Sequence, residues 1–253
     1  MNFKRKKYQV IKKIISKDLA IFLHNYLLLK RRVAKKLFDT RFISPFTMEW
    51  GRWDDDQVPN TYCCYADLAM ETLLVKVQPY MEKETKLKLL PNYSFVRMYK
   101  HGDVLERHLD RSACSVSCTL NLGGEPWPIY LLPKPKASKA IEVILKPGDM
   151  LIYAGRELEH WRDSFKGTNC GQVFLHYGEA DSQEAIDNCF DTRPFVGLPV
   201  YFKSRVFIEQ KIKERHEAKV KGDLRTVETI EKELAGRGVA IEDKNGQTLW
   251  NFQ

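Results

Sequence analysis

The sequence predicts an α+β protein whose core is mainly β. This core is a sandwich or barrel, with helices before and after it in the chain. Between residues 93 and 177, short runs with strand composition alternate with turn signals, a pattern typical of all-β sandwiches and barrels. Before and after this stretch, apolar residues recur at helical spacing. The 253-residue chain is 43% hydrophobic and 29% charged, which excludes a disordered or collagen-like protein and allows a sizeable core.

Residues 1–90 predict a strand followed by two supporting helices. Residues 8–15 alternate weakly, like an edge strand, and Ser16 is suited to cap the first helix. The apolar positions of this helix include Ala20, Leu23, Leu27 and Val33. A loop with prolines over residues 42–60 leads to the second helix. The apolar positions of the second helix include Ala66, Ala69, Leu73, Leu74, Val77 and Tyr80.

Residues 91–182 predict the β core itself. Pro91 is expected to separate this core from the preceding helix, because proline disfavours helical backbone in the residue before it. The expected strands cover residues 94–99, 115–122, 129–132, 141–145, 150–153 and 172–177. Glycines and prolines lie between these runs and supply the turns.

Residues 183–253 predict a linker and a C-terminal helical hairpin. Apolar residues return to helical spacing from residue 204 onward, with a break at residues 222–223 and an end at Gly236 and Gly238. We expect the three segments to form one structural domain. The sequence does not predict an oligomeric state.

Positive charge is concentrated at the start of the chain. Residues 1–38 contain twelve lysines and arginines against one acidic residue, and the whole chain carries a formal charge of +8. The pattern favours a solvated helix face, because aromatic residues for base stacking are not interleaved with the charges. Docking of this segment on nucleic acid remains the alternative.

The sequence also indicates a compartment. No apolar run near the start is long enough to cross a bilayer, and no cleavage site of a secretory signal follows it. The six cysteines form no CxxC pair and no disulfide-scaffold spacing. We therefore expect a cytoplasmic protein with free thiols and no membrane partner.

Two histidines and one aspartate are the candidate metal ligands. His108 and Asp110 are two residues apart, so on a strand they project from the same face. His160 lies fifty residues beyond Asp110, after a Pro-Gly-Asp turn, an apolar strand and a short loop. Two imidazoles and one carboxylate on one side of an ion form the arrangement that suits non-haem Fe(II).

The sequence around these residues resembles the Fe(II)/2-oxoglutarate-dependent dioxygenases, in the branch similar to prolyl 4-hydroxylases. Tyr99, Gly102, His108 and Asp110 stand as Y-x-x-G-x-x-x-x-x-H-x-D, the spacing of the family's first-ligand strand. Residues 172–177 look like the family's final core strand. The resemblance covers about residues 91–180 and implies a double-stranded β-helix, which is a jelly-roll or cupin-like barrel.

The resemblance also implies residues that bind the cosubstrate. The family's tyrosine, here Tyr99, commonly touches 2-oxoglutarate. The family usually places a basic residue nine to twelve positions beyond the distal histidine, but residues 169–172 of this chain contain none. Arg162 is the nearest substitute, since its planar guanidinium suits a carboxylate, and Gln172 and Thr119 are further candidates.

By this resemblance the protein is an enzyme that binds Fe(II), 2-oxoglutarate and O2 and hydroxylates an amino-acid side chain, in a protein or in a small molecule. Succinate and CO2 are released, and ascorbate is the expected helper. Two alternatives stay open. One is a cupin-like barrel that binds a metal or ligand without oxidation, and the other is an oxygenase that acts on nucleic acid through the basic N-terminus.

Overall fold

The chain divides into two compact units, Met1–Val200 and Tyr201–Gln253. The computed structural model describes residues 3–44, 47–133, 139–199, 202–244 and 246–252. The sequence predicted one domain with segment boundaries at 90 and 182, whereas the observed division at residue 200 leaves the linker region with the β core. The two units have separate hydrophobic clusters.

The first unit contains four α-helices and ten strands within its described residues. The helices are α1 (Phe3–Lys6), α2 (Lys17–Asp39), α3 (Leu68–Thr85) and α4 (Gln183–Asp187). The first five strands are β1 (Tyr8–Ile11), β2 (Tyr62–Tyr65), β3 (Leu89–Lys100), β4 (Leu105–His108) and β5 (Val116–Gly124). The other five strands are β6 (Ile129–Leu132), β7 (Ile141–Val143), β8 (Met150–Tyr153), β9 (Glu159–Arg162) and β10 (Asn169–Glu179).

The strands form two antiparallel sheets. The larger has the order β1-β8-β5-β10-β3-β2, and the smaller has the order β4-β9-β6-β7. This confirms the jelly-roll core and the position of β1 at a sheet edge. Within the described parts of the chain no ladder joins the two sheets, so the jelly-roll core is an open sandwich.

Alternate side chains of the central strands face two different environments, the hydrophobic core under the helices and the candidate site. On β10, Val173 and Leu175 pack in the cluster that contains α2 and α3, whereas Phe174 packs in a cluster with Trp127 and Leu105. Successive side chains of a strand point to opposite faces. The outer face of the larger sheet is therefore covered by helices, and its inner face supplies the site.

The two supporting helices are confirmed with small differences. The hydroxyl of Ser16 accepts a hydrogen bond from the backbone nitrogen of Leu19 at 3.1 Å, so the predicted cap is present. Val33 and Tyr80 are 36% and 49% exposed, because they lie on the outward sides of α2 and α3. The sequence did not predict β2, which precedes α3.

Pro91 lies inside β3 and does not end the preceding segment as predicted. The strand begins at Leu89 and pairs with β10 along its length. On the other side, β2 reaches only as far as Phe95. Proline is tolerated in a strand where no neighbour needs its missing N–H, and Pro91 meets this condition on the side that β2 leaves unpaired.

The second unit is the predicted helical hairpin with a β-hairpin added. Its helices are α5 (Phe202–Val220) and α6 (Leu224–Gly236), and its strands are β11 (Val239–Lys244) and β12 (Gln247–Phe252). The carboxylate of Asp223 caps α6 by accepting from the backbone nitrogen of Thr226 at 3.1 Å. The sequence did not predict the two strands.

All six cysteines are free thiols. A search of the described residues finds no helix that combines the length and the hydropathy needed to cross a membrane.

Candidate metal centre

The pairing of β4 with β9 brings the two candidate histidines together. His108 and His160 are cross-strand partners, and their ring centroids are 4.2 Å apart. Asp110 follows β4, and its backbone nitrogen donates to the carbonyl of Gly155 at 2.9 Å. One ligand atom from each of the three residues lies within 4.8 Å of the others.

His108 and His160 both direct Nε2, and not Nδ1, toward the other candidate metal ligands. The Nδ1 of His108 lies 2.7 Å from the carbonyl oxygen of Glu106, and the Nδ1 of His160 lies 3.0 Å from that of Leu158. Because a carbonyl only accepts hydrogen bonds, each Nδ1 carries the proton and each Nε2 has a free lone pair. The Nε2 of His160 is 3.5 Å from Asp110 Oδ1.

The neighbours of Asp110 keep its carboxylate ionised and oriented. Ser117 Oγ donates to Asp110 Oδ2 at 2.5 Å and lies 2.9 Å from His176 Nδ1. Burial acts to raise the pKa of Asp110, but the neighbouring imidazoles of His160 and His176 and a hydrogen bond from Ser117 hold that pKa well below its usual value. The donor set of two neutral imidazoles and one carboxylate fits Fe(II).

A cavity of about 230 Å³ lies in front of these three residues. Its polar wall residues, apart from the three, include Asp55, Gln57, Arg97 and Arg111. Its apolar and aromatic wall residues include Tyr93, Phe95, Leu105, Tyr153 and Phe174. The cavity is thus lined by acidic and basic side chains together with aromatic rings.

Arg162 and Tyr99 lie deeper in the sandwich and have unused hydrogen-bonding groups. The Nη1 of Arg162 donates to the carbonyl of Trp127 at 2.6 Å. Among the described residues, neither its Nε and Nη2 nor the Tyr99 hydroxyl has a partner in normal hydrogen-bond geometry. Arg162 is 1% exposed, and burial lowers the pKa of its guanidinium. A buried cation with free donors favours an anion beside it. These two residues therefore fit a carboxylate.

Gln172 and Thr119 lie on the same inner face but are already paired. Thr119 Oγ1 donates to Gln172 Oε1 at 3.1 Å, and Gln172 Nε2 donates to Cys170 Sγ at 3.2 Å. Both residues are buried, and neither belongs to the described wall of the cavity. The structure therefore gives these two predicted residues a supporting position behind the site.

Sequence reasoning missed Arg97 as a residue of the site. It is the cross-strand partner of Gln172, the position near which the resemblance led us to expect a basic residue. A signal was available, because Arg97 is two residues before Tyr99 on β3 and therefore shares its face. Arg111, in contrast, is half-exposed and is held by Asp191 at 3.0 Å.

Comparison with known proteins shows the fold. No protein-family model matches the sequence, and no curated protein matches it either. Among solved structures, AviO1 from Streptomyces viridochromogenes Tue57 aligns with TM-score 0.53 and 13% identity, over 73% of this chain and 95% of that one.

Two further solved structures are of enzymes. SnoN, a non-haem α-ketoglutarate-dependent epimerase from nogalamycin biosynthesis, aligns with TM-score 0.52 and 13% identity, over 71% of this chain and 80% of that one. A prolyl hydroxylase from Trichoplax adhaerens, in complex with a peptide of hypoxia inducible factor, aligns with TM-score 0.51 and 12% identity, over 73% and 88%. The chain thus shares the fold of 2-oxoglutarate-dependent Fe(II) oxygenases.

Proposed function

We propose that this protein is an Fe(II)- and 2-oxoglutarate-dependent dioxygenase that hydroxylates an amino-acid side chain and releases succinate and CO2. One observation carries the proposal: two histidines with free Nε2 atoms meet a carboxylate, close to a buried arginine that has unpaired N–H groups. The shared fold supports it. Hydroxylation of an amino-acid side chain follows from the sequence resemblance to the prolyl-hydroxylase branch.

Each residue has a separate role in this proposal. His108, Asp110 and His160 would hold Fe(II). The bound metal supplies, with 2-oxoglutarate and O2, the oxidising chemistry for insertion of one oxygen atom into a C–H bond. Arg162 binds the far carboxylate of 2-oxoglutarate through Nε and Nη2, and the Tyr99 hydroxyl donates to the same group.

Residues around the site position these groups and exclude water. Ser117 and His176 orient the carboxylate of Asp110, and Thr119 and Gln172 hold each other behind the cosubstrate. The rings of Trp127 and Phe165 pack beside Tyr99 and Arg162, so the expected carboxylate site is shielded from solvent. Low water access strengthens the pairing of a carboxylate with a guanidinium. Ascorbate is proposed only as a helper that keeps the metal reduced.

Anaerobic titration with Fe(II) and 2-oxoglutarate tests the function. We expect the weak visible charge-transfer band of the chelate, followed by slow release of succinate when air is admitted. Arg162→Gln should raise the 2-oxoglutarate concentration at half-saturation at least about tenfold, since it removes a charge-assisted pair. The matched control is Arg156→Gln, because Arg156 is a half-exposed arginine that bonds Glu184 and the carbonyl of Ser112.

The same titration decides against the alternative of a non-oxidative barrel. If metal binds but no band and no succinate are found, the protein binds a metal without oxidative turnover and the proposed activity is wrong. If Arg162→Gln leaves half-saturation unchanged while the band is present, the activity stands and only the role of Arg162 is wrong.

A further inference from the structure

The cavity wall contains an ion pair that neither the metal nor the expected cosubstrate site uses. Arg97 is 1% exposed, and its Nη2 donates to a carboxylate oxygen of Asp55, while its Nη1 donates to Gln57 Oε1 at 3.1 Å. Among the described residues, the Nε of Arg97 has no acceptor in normal hydrogen-bond geometry. All three residues line the cavity in front of the candidate metal ligands.

Arg97 lies on a strand, whereas Asp55 lies on a loop. The guanidinium of Arg97 lies over the ring of Phe95, with its carbon 5.0 Å from the ring centroid, and 5.6 Å from the centroid of Tyr99. Asp55 belongs to the irregular stretch between α2 and β2. Its second cationic neighbour is Arg52, with Nη2 at 3.5 Å. The loop carboxylate can therefore shift while the strand arginine stays in place.

The ion pair costs desolvation free energy that an apolar contact between loop and strand would avoid. Such pairs are weak devices for stability, and a buried N–H without an acceptor adds to the cost. A ligand in the cavity that brings an acceptor to Arg97 removes that cost. The unpaired Nε therefore indicates a binding role for this arginine.

The charges of Arg97 and Asp55 indicate which charged groups the ligand carries. A ligand with a carboxylate alone would displace Asp55 and leave two negative groups side by side. A ligand with a carboxylate and an ammonium group replaces one internal pair by two intermolecular pairs, so every charge stays compensated. An α-amino acid in its free zwitterionic form has these two groups one carbon apart.

On the basis of the proposed function, we infer that the substrate is a free α-amino acid, with its carboxylate on Arg97 and its ammonium group on Asp55. The side chain then lies between Phe95, Phe174 and Leu105, which face the candidate metal ligands. A cavity of about 230 Å³ suits a molecule of this size. An internal residue of a peptide lacks both charges, so it would leave Arg97 and Asp55 paired with each other and would bring no carboxylate to Arg97.

Substrate-stimulated turnover tests this inference with the Fe(II)-loaded full chain. Succinate release is measured with each of the twenty free amino acids, and then with the α-carboxamide and the N-acetyl form of every acid that stimulates it. We expect at least one free amino acid to stimulate release, and both of its blocked forms to lose the effect. Stimulation by none, or equal stimulation by the blocked forms, overturns the inference.

Two variants assign the binding groups. Arg97→Gln and Asp55→Asn should each raise the amino-acid concentration at half-stimulation at least about tenfold. Both should leave the charge-transfer titration with 2-oxoglutarate unchanged, which also shows that the variant is folded. Arg237→Gln in the second unit is the control for loss of a guanidinium.

The outcomes separate this inference from the proposed function. If wild-type protein shows no charge-transfer band, the proposed function fails and the inference fails with it. If the band forms but Arg97→Gln weakens 2-oxoglutarate binding, Arg97 belongs to the cosubstrate, and the inference fails while the proposed function stands. A normal 2-oxoglutarate titration with weakened amino-acid stimulation supports both.

Discussion

At the scale of single residues, the candidate metal centre depends on which ring nitrogen each histidine leaves free. The carbonyls of Glu106 and Leu158 occupy the Nδ1 atoms of His108 and His160. Such partners fix the tautomer and the ring orientation of a metal-binding histidine. The tautomers follow from backbone geometry that is local to each strand, since each carbonyl lies two residues before its histidine.

Replacement of a histidine tests the ligand set. His108→Ala should abolish stoichiometric binding of Fe(II), because only one imidazole and one carboxylate remain. The measurement is anaerobic metal titration by calorimetry. The control is His101→Ala, because His101 is exposed and its Nδ1 contacts only the carbonyl of Lys166, at 3.2 Å. Unchanged Fe(II) affinity in His108→Ala would contradict the assigned triad.

Replacement of Gly155 tests the position of Asp110 while all three candidate metal ligands are kept. A Cβ atom on Gly155 would lie 2.0 Å from Asp110 Oδ2 and 2.8 Å from Ser117 Oγ. Gly155→Ala should therefore move the carboxylate and lower the affinity for Fe(II) about 10- to 100-fold, the range found when groups that orient metal ligands are changed.

A second glycine is the matched control for Gly155. Gly102 has φ of +83°, but a Cβ there would meet nothing within 4 Å. Gly102→Ala should lower the free energy of unfolding by about 1 kcal/mol through backbone strain and leave metal affinity unchanged. Equal metal affinities of the two variants would disprove the close contact at Gly155.

At the scale of elements, short local signals set the start of each helix. The exposed Ser16 hydroxyl accepts a hydrogen bond from the backbone nitrogen of Leu19. Ser16→Ala should lower the free energy of unfolding by about 1 kcal/mol, whereas Ser16→Asp should preserve it. Urea denaturation of the three proteins measures this difference. An unchanged midpoint for Ser16→Ala would mean that this cap adds nothing to stability.

Strand pairing explains which residues of the site could be predicted from the sequence and which could not. Tyr99, His108 and Asp110 lie within twelve residues of each other, so their spacing alone placed them near one another. Arg97 became visible only when β3 was placed against β10 and beside the loop that contains Asp55. The roles of Arg162, Gln172 and Thr119 remain predictions, because the structure shows their positions and not their ligands.

At the scale of the whole molecule, the chain has two units with separate cores. Leu234 is fully buried in the cluster of the second unit with Ile230 and Ile208. Leu234→Ala should destabilise this unit by about 2–5 kcal/mol, the usual range for such a cavity. Fe(II) affinity, which depends on residues of the first unit alone, should not change. Loss of Fe(II) binding in this variant would show that the units are energetically coupled.

The basic start of the chain is also a property of the whole molecule. Several of its lysines have acidic partners, among them Lys30 with Asp67 at 2.6 Å and Lys7 with Glu157 at 2.9 Å. The pair of Lys7 is half-exposed and supports the interpretation of a solvated surface, whereas the pair of Lys30 with Asp67 is mostly buried and is part of the folded structure. Binding to nucleic acid stays an alternative, and it would require an affinity that falls steeply as salt rises.

The sequence by itself determined what depends on neighbours along the chain. Period-two and helical patterns located most strands and the main helices, because each pattern arises from residues a few positions apart. The spacing of His108 and Asp110 placed two candidate ligands on one strand face for the same reason. The edge position of β1 and the cap at Ser16 were equally local.

Only the tertiary structure decided what depends on residues far apart in sequence. The strand order of the two sheets, the ladder that sets His160 against His108, and the ion pair of Arg97 with Asp55 all depend on contacts between distant segments. Such pairings minimise the free energy of the whole chain, since burial of one face of a strand depends on every element that covers it. No local pattern contains that information.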